Sequence, residues 1–503
     1  MLHRIGAALV VLLALACGSP QAWAGKEGPE FRVNTFTVNH QLSPSVARLS
    51  NGGFVVTWYS LFQDGSGSGV YGQLYRAKGG KFLPEFRVNT HTTGDQALPS
   101  VAGLSGGGFV VIWQSVSQDG SGWGVYGQRF SAARELVGSE FRVNTHTPGQ
   151  QWLASVAGLS DGGFVVTWTS SYSQDGSGSG VYGQLYSAAG APVGSEFRVN
   201  TYTTFNQDSP SIAGLSDGGF VVTWRSDRQD GSGDGVFGQR YSAAGGVVGG
   251  EFRVNTTTAN GQWAPSVAGL GNGGFVVTWT SCCQDGSSVG VYGQRYSAAG
   301  APLGSEFRVN KTTAGQQWQP SVAALSDGDF VVTWQSADQD GSGYGVYGKR
   351  YSATGTLVAS EFRANTYTAD DQDSPSVAAL SDGGFVVTWQ SLNQDGSIYG
   401  VYGQRFSADA APKITLDPVS QTVRSGQTVT FTADASGRPT PTVQWQLSMS
   451  GGGRFANIVG ATAKTLSFAT TSRQSGNQYR AVFSNSLGTA TTKAATLTVR
   501  LFR

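Results

Sequence analysis

The sequence predicts an all-β protein: a seven-bladed β-propeller built from four-stranded blades, followed by a smaller β-sandwich. Three observations carry this expectation. Glycine accounts for 73 of the 503 residues and aromatic residues for 11%, a composition suited to many short strands joined by tight turns. One unit recurs seven times along the chain, the mark of a repeat architecture. The two ends of the repeat array are complementary, each lacking what the other supplies.

The block Glu-Phe-Arg-Val-Asn begins at Glu30, Glu85, Glu140, Glu196, Glu251 and Glu306, and recurs with Ala for Val at Glu361, with a spacing of 55 or 56. Each copy continues with a Gln, a Ser-(Val/Ile)-Ala stretch, a Gly-rich turn, Phe-Val-Val-(Thr/Ile)-Trp, then Gln-Asp-Gly-Ser and Gly-Val-(Tyr/Phe)-Gly. In the third repeat, β-branched and aromatic residues bounded by Gly, Ser, Asp or Pro predict strands over 155–159, 163–169, 180–187 and 196–201. The second is an almost continuous apolar run, as expected for a strand covered on both faces. The fourth alternates Phe197 and Val199 with polar neighbours, as a half-exposed strand does.

An open stack of such units would leave an unpaired edge. The seventh repeat stops at Phe406-Ser407-Ala408 without its Glu-Phe-Arg strand, while residues 30–35 precede the first unit with no sheet of their own. Joining the two makes the N-terminal strand the fourth strand of the last blade and closes the ring.

Ahead of the repeats, Arg4, the apolar stretch 5–16 and Ala22-Trp23-Ala24 read as a secretory signal over 1–24, cleaved before Gly25. Lipid attachment at Cys17 is the alternative, with Ala14 where a lipobox usually carries Leu. No later apolar run reaches the roughly 20 residues of a membrane span. Residues 25–29 form a short leader to the propeller at 30–408, 409–412 read as a linker, and 413–503 form the second domain. Thirty-three basic and 32 acidic side chains without a run of like charge leave no footprint for nucleic acid. After cleavage only Cys282 and Cys283 remain, so packing, not a disulfide framework, must hold the fold.

Phe-Val-Val-Thr-Trp and Gln-Asp-Gly-Ser-Gly are the signatures by which the repeats, over residues 30–406, resemble those of large secreted bacterial surface proteins, often found beside calcium-binding or adhesin modules. That resemblance implies a bacterial, extracellular setting and no particular chemistry. In the second domain, residues 428–433 look like strand B of an immunoglobulin-like domain, 436–441 like the turn after it, and Trp445 like the buried tryptophan of strand C. Gly476-Asn477-Gln478-Tyr479 resembles the tyrosine corner, and Ala433 and Ala481 stand where the family often has its inter-sheet disulfide. The resemblance implies a spacer or a protein-binding module.

Among motifs with chemistry, residues 343–350 approach a phosphate-binding loop but end in Arg350 where Ser or Thr belongs, and lead into a strand. His40, His91 and His146 fall in different blades without a second ligand nearby. The seven Gln-Asp-Gly-Ser turns carry Asp64, Asp119, Asp175, Asp230, Asp285, Asp340 and Asp395. Asp-Gly there makes a tight turn capped by its own carboxylate. A calcium role is the competing reading, although one carboxylate per loop is short of the six to eight oxygens the ion takes.

Variation between copies is more informative. After the recurring Gln at 41, 96, 151, 207, 262, 317 and 372 stand Leu42, Ala97, Trp152, Asp208, Trp263, Trp318 and Asp373. Trp152, Trp263 and Trp318 are expected in the connection between blades, on the same face as the Gln-Asp-Gly-Ser turns. They are either ligand-contacting residues or packing between blades. These features point to an exported, non-catalytic binding or adhesion module that meets an extracellular glycan or protein through a propeller face, without a cofactor unless calcium binds. The alternatives are a propeller glycoside hydrolase or lyase, which would need paired carboxylates, and a structural part of an envelope assembly. Secreted, periplasmic and cell-surface locations all fit.

Overall fold

The computed structural model describes residues 25–500 apart from 172, 173, 359, 409, 439, 451, 452 and 486. The signal-peptide reading of 1–24 and the lipid-attachment reading of Cys17 lie outside the described residues. The repeats form seven four-stranded antiparallel sheets arranged as the blades of a propeller, and no α-helix occurs among the described residues. Ring closure is by the N-terminal strand. Lys26–Arg32 pairs antiparallel with Tyr399–Phe406 of the seventh blade, with Lys26 opposite Phe406 and Arg32 opposite Tyr402.

In the third blade the strands are Gln151–Gly158, Phe164–Ser170, Gly180–Tyr186 and Pro192–Arg198, from the channel outwards. The largest differences from expectation are at the start of the innermost strand and at both ends of the outer strand, which begins at Pro192, not at 196. The innermost strand starts at Gln151, not at 155, because Gln151 and Trp152 already pair with Ser170 and Thr169 before a bulge that ends at Ser155. The outer strand ends at Arg198, not at 201, because Asn200 turns its side chain inward. Its Oδ1 accepts the Val181 N–H at 2.7 Å, and its Nδ2 donates to Tyr202 O at 2.8 Å and Gln207 Oε1 at 3.2 Å. The same Asn-to-Gln latch joins Asn34 to Gln41, Asn89 to Gln96, and Asn365 to Gln372. These Asn and Gln side chains are buried, which is why both types recur: an amide satisfies donor and acceptor together.

The hydrophobic cores lie between blades. Val165, Val181, Leu185 and Val199 of the third blade pack against Ile212, Phe220, Val222 and Trp224 of the fourth, while Phe164, Val166 and Trp168 face the second. That two-sided burial explains the unbroken apolar run of each second strand. The close approach at Gly183, where a Cβ would stand 2.6 Å from the Phe197 ring, accounts for the Gly that precedes each recurring Gln or Lys of the third strand. The Glu of each outer strand clasps the preceding blade: Glu85 accepts the Thr35 N–H at 2.6 Å and hydroxyl at 2.8 Å with one oxygen and Gln63 Nε2 at 2.7 Å with the other. At the seam, Glu30 makes the equivalent bonds to the Thr366 hydroxyl at 2.7 Å and Gln394 Nε2 at 2.6 Å.

In the C-terminal domain, Thr442–Ser448 pairs with Gln478–Asn485, placing Trp445 opposite Ala481. Trp445, Phe431, Tyr479, Ala433 and Ala481 form the centre of one core, and the indole N–H donates to Ala463 O at 2.9 Å. Burial raises the Tyr479 pKa. Residues 436–438, expected in a turn, belong instead to the strand Asp434–Arg438, which pairs with Ala410–Leu416. This pairing also makes a strand of the segment that begins at Ala410.

Candidate functional site

A central channel runs between the seven innermost strands. It opens a cavity of about 480 Å³ lined by Ser43-Pro44-Ser45 and its counterparts in every blade. The wall serines tie neighbouring blades together. Ser45 Oγ accepts the Val101 N–H, Ser100 Oγ that of Val156, and Ser376 Oγ that of Val46, each at 3.2 Å, so the pattern passes round the ring.

One set of positions that varies from blade to blade lies at a mouth of this channel. Each innermost strand bulges after its second residue, and the residue that follows takes a left-handed backbone although none is glycine: Ser43, Leu98, Leu153, Ser209, Ala264, Gln319 and Ser374 have φ between 50° and 54°. Seven repetitions of a costly conformation indicate a geometry imposed by the fold. Neighbouring blades support it. Gln390 Oε1 accepts the Ser43 N–H at 2.9 Å, Gln335 Oε1 that of Ser374 at 2.9 Å, and Thr169 Oγ1 that of Ser209 at 3.1 Å.

The residue before each bulge pairs with the residue after the core Trp. The seven pairs are Leu42 with Tyr59, Ala97 with Gln114, Trp152 with Thr169, Asp208 with Arg225, Trp263 with Thr280, Trp318 with Gln335, and Asp373 with Gln390. Trp152, Trp263 and Trp318 therefore lie within the innermost strands. The expectation that they sit in the connection between blades is corrected by the early start of those strands. They share the end of the blade that bears the Gln-Asp-Gly-Ser turns. Trp152 is 37% exposed, while Trp263 and Trp318 are half-buried. Trp318 lies 6.1 Å from the Tyr344 ring. Trp263 lines the cavity and lies over Gly261, where a Cβ would come within 3.1 Å of the indole.

The charged members of this set were not chosen from sequence as site residues. Asp208 Oδ2 accepts from Arg225 at 2.9 Å, and the same guanidinium reaches Asp234 at 3.6 Å. Burial pushes the Asp208 and Asp234 carboxyls upward, opposed by Arg225. Burial takes Asp373 up to about 6, against hydrogen bonds from Ser374 and Gln390 that favour its charged form. Tyr399 nearby is pushed up to about 12, by burial first and then by Asp373, Asp371 and Asp370. The signal that could have found Arg225 was the variability of the position after each core Trp.

The Asp turns are different in kind. Asp64, Asp119, Asp175, Asp230, Asp285 and Asp395 each accept the N–H of the Ser two residues on, at 3.1 to 3.3 Å. The other oxygen of Asp175, Asp230, Asp285, Asp340 and Asp395 accepts from the latch Asn at 3.1 to 3.4 Å. Each carboxylate is thus engaged within its own blade through at least one oxygen, while Asp64 Oδ2, Asp119 Oδ2 and Asp340 Oδ1 are buried without a hydrogen-bond partner among the described residues. Among the described residues, no group of three or more His, Cys, Asp or Glu is placed to hold a metal ion. Cys282, the last residue of the fifth blade's second strand, and Cys283 just after it are free thiols, and the hydrogen bond with Cys283, ahead of burial, pushes Cys282 up to about 11.

Comparison with known proteins bears on the two domains separately. An immunoglobulin-domain model matches residues 411–485. The C-terminal domain is immunoglobulin-like. Endoglucanase C of Cellulomonas fimi is 39% identical over 124 residues, which cover 24% of this chain and 11% of that protein. The chain thus spans only about a tenth of the length of that curated relative. Among solved structures, a protein of unknown function from Dyadobacter fermentans is similar with a TM-score of 0.49 at 11% identity, over 78% of this chain and 100% of that one. The β-propeller domain of the Trilobed protease from Pyrococcus furiosus gives a TM-score of 0.43 at 8% identity, over 74% of this chain and 94% of that one. No helix among the described residues is long and apolar enough to cross a membrane.

Proposed function

We propose that the chain is an exported, non-catalytic binding or adhesion module that takes an extracellular glycan or protein at the mouth of the propeller channel. In this reading 1–24 is removed on export, 30–408 is the binding platform, and the immunoglobulin-like domain over 413–503 serves as a spacer or second contact. The observation that carries it is the set of pairs around the mouth. A scaffold whose clasps, latches and cores repeat from blade to blade varies at the positions that face the channel opening, and places Trp152, Trp263 and Trp318 there. Aromatic side chains with one face free are efficient anchors for sugar rings and for protein partners. The test is a glycan and extracellular-matrix binding screen on residues 25–503, repeated with Trp152, Trp263 and Trp318 all changed to Ala. Loss of the captured ligand with an unchanged circular dichroism spectrum is the expected result. Retention of binding would place the site elsewhere.

A propeller glycoside hydrolase is the second reading, favoured by the raised carboxyl of Asp373, since a general acid needs such a shift. It requires a partner carboxylate, and Asp208, the other acid at the equivalent position, is held by Arg225. Reducing-sugar release from polysaccharides, abolished by Asp373→Asn, would establish this reading over the first.

A further inference from the structure

We infer that the channel mouth is selective for a neutral glycan, bound across a crescent formed by Trp152, Asp208, Trp263, Trp318 and Asp373. This rests on the binding role proposed above and narrows it to one class of ligand. The five residues occupy the same position on the innermost strands of five consecutive blades, the third to the seventh. Successive strands are tied to one another: the Val267 N–H donates to Ser211 Oγ, Val322 to Ser266 and Val377 to Ser321. Indoles and carboxylates therefore follow one another along an arc in the order Trp, Asp, Trp, Trp, Asp. The first and second blades carry Leu42 and Ala97 at this position, which leaves the arc open on one side.

The chemistry of the arc narrows the ligand. An indole offers its face to the C–H face of a pyranose, and a carboxylate accepts hydrogen bonds from vicinal hydroxyls. A sugar acid or sulfate would need a free cation. Among the fourteen side chains of the seven mouth pairs, Arg225 is the one cation, and Asp208 and Asp234 already engage it; Arg228, in the loop just beyond its strand, lies 3.6 Å from Asp227 and over the Phe205 ring. Asp373 has no ion-pair partner among the described residues, so an anionic ligand would meet uncompensated negative charge, a repulsive element against the wrong class. Below the mouth, channel serines accept backbone N–H groups of the next blade through Oγ. The indoles and carboxylates that would meet the ligand stand at the opening, beside Leu42 and Ala97.

The test is titration of residues 25–503 with neutral oligosaccharides of the gluco, xylo, manno and arabino series, and in parallel with oligogalacturonate, alginate and hyaluronan. The expected result is binding to at least one neutral series, weakened by about 10-fold or more in Trp263→Ala/Trp318→Ala, as for the loss of aromatic anchors. Acidic glycans should bind more weakly, and Asp373→Lys should improve their binding. Trp152→Ala, at the exposed end of the arc, is the second variant should the double replacement fold poorly. Preferential binding of acidic glycans, lost in the Trp variants, would overturn the inference while leaving the mouth as the binding site. So would capture of a protein partner at the mouth with no neutral glycan bound. Binding of neutral glycans unaffected by every Trp variant would overturn both the inference and the location.

Discussion

The third blade carries two tryptophans with opposite surroundings. Trp168, on the second strand, is fully buried against the second blade, whereas Trp152, on the innermost strand, is 37% exposed at the channel mouth. The first has a counterpart in each of the other six blades: Trp58, Trp113, Trp224, Trp279, Trp334 and Trp389. The second is replaced by Leu, Ala or Asp in four of them. The contrast separates two demands on one repeat. Interior positions must fill a space whose shape repeats from blade to blade, because each core is shared with a neighbour. Mouth positions lie outside the shared cores and border the opening, so they can differ without disturbing the ring.

The largest effect is expected where the interior is opened outright. Deleting Lys26–Arg32 removes the fourth strand of the seventh blade together with Glu30 and its bonds to Thr366 and Gln394. The exposed edge should lower the thermal midpoint steeply or drive aggregation, as read by scanning calorimetry and size-exclusion chromatography. An unchanged melt with monomeric elution would contradict the closed ring.

Next comes the pair itself. Trp168→Ala should cost about 3–5 kcal/mol of stability, as truncation of a fully buried Trp does. Trp152→Ala should cost under about 1 kcal/mol, as for a surface position. Urea denaturation of the two variants measures the gap directly, and similar losses would erase the distinction between interior and mouth.

A smaller, pH-dependent effect is expected at Asp373. Its folded-state carboxyl titrates at about 6 against an ordinary 3.8, so the native chain holds an extra proton between those values. Stability from this group is therefore present below the ordinary value and lost as pH rises through about 6. Asp373→Asn should then be more stable than the parent at pH 7 by on the order of 1–3 kcal/mol, with no difference below about pH 3.5. A constant difference across the range would show that burial does not govern this carboxyl.

The smallest effect concerns the Asp turns, which belong with the interior in this comparison. Millimolar calcium or EDTA should leave the melting temperature unchanged, since only a ligand that favours the folded state raises it. A calcium-dependent rise, lost in Asp175→Asn/Asp230→Asn, would move these residues from turn formation to metal binding.

Much of the architecture was legible because it rests on local rules repeated seven times. The period, the apolar second strand and the missing strand after Ser407 led to blades and to closure. Trp445 and the paired alanines at 433 and 481 led to the second domain. What escaped was register. The innermost strand begins at Gln151 because Asn144 holds that side chain at 3.3 Å and Ser170 pairs with its backbone, and neither contact leaves a mark on local propensity. A similar long-range pairing, with Ala410–Leu416, turned residues 436–438 from an expected turn into strand.

The candidate site divides in the same way. By itself the sequence determined that seven equivalent positions vary and that three of them are Trp, because a repeat exposes its own exceptions. Only the tertiary structure decided that this position lies on the innermost strand at the channel mouth, and that Arg225 is neutralised across its strand pair. The reason is that a propeller brings residues about 55 apart in sequence together around one channel, and a side chain's charge partners and burial are set by that ring and not by its neighbours along the chain.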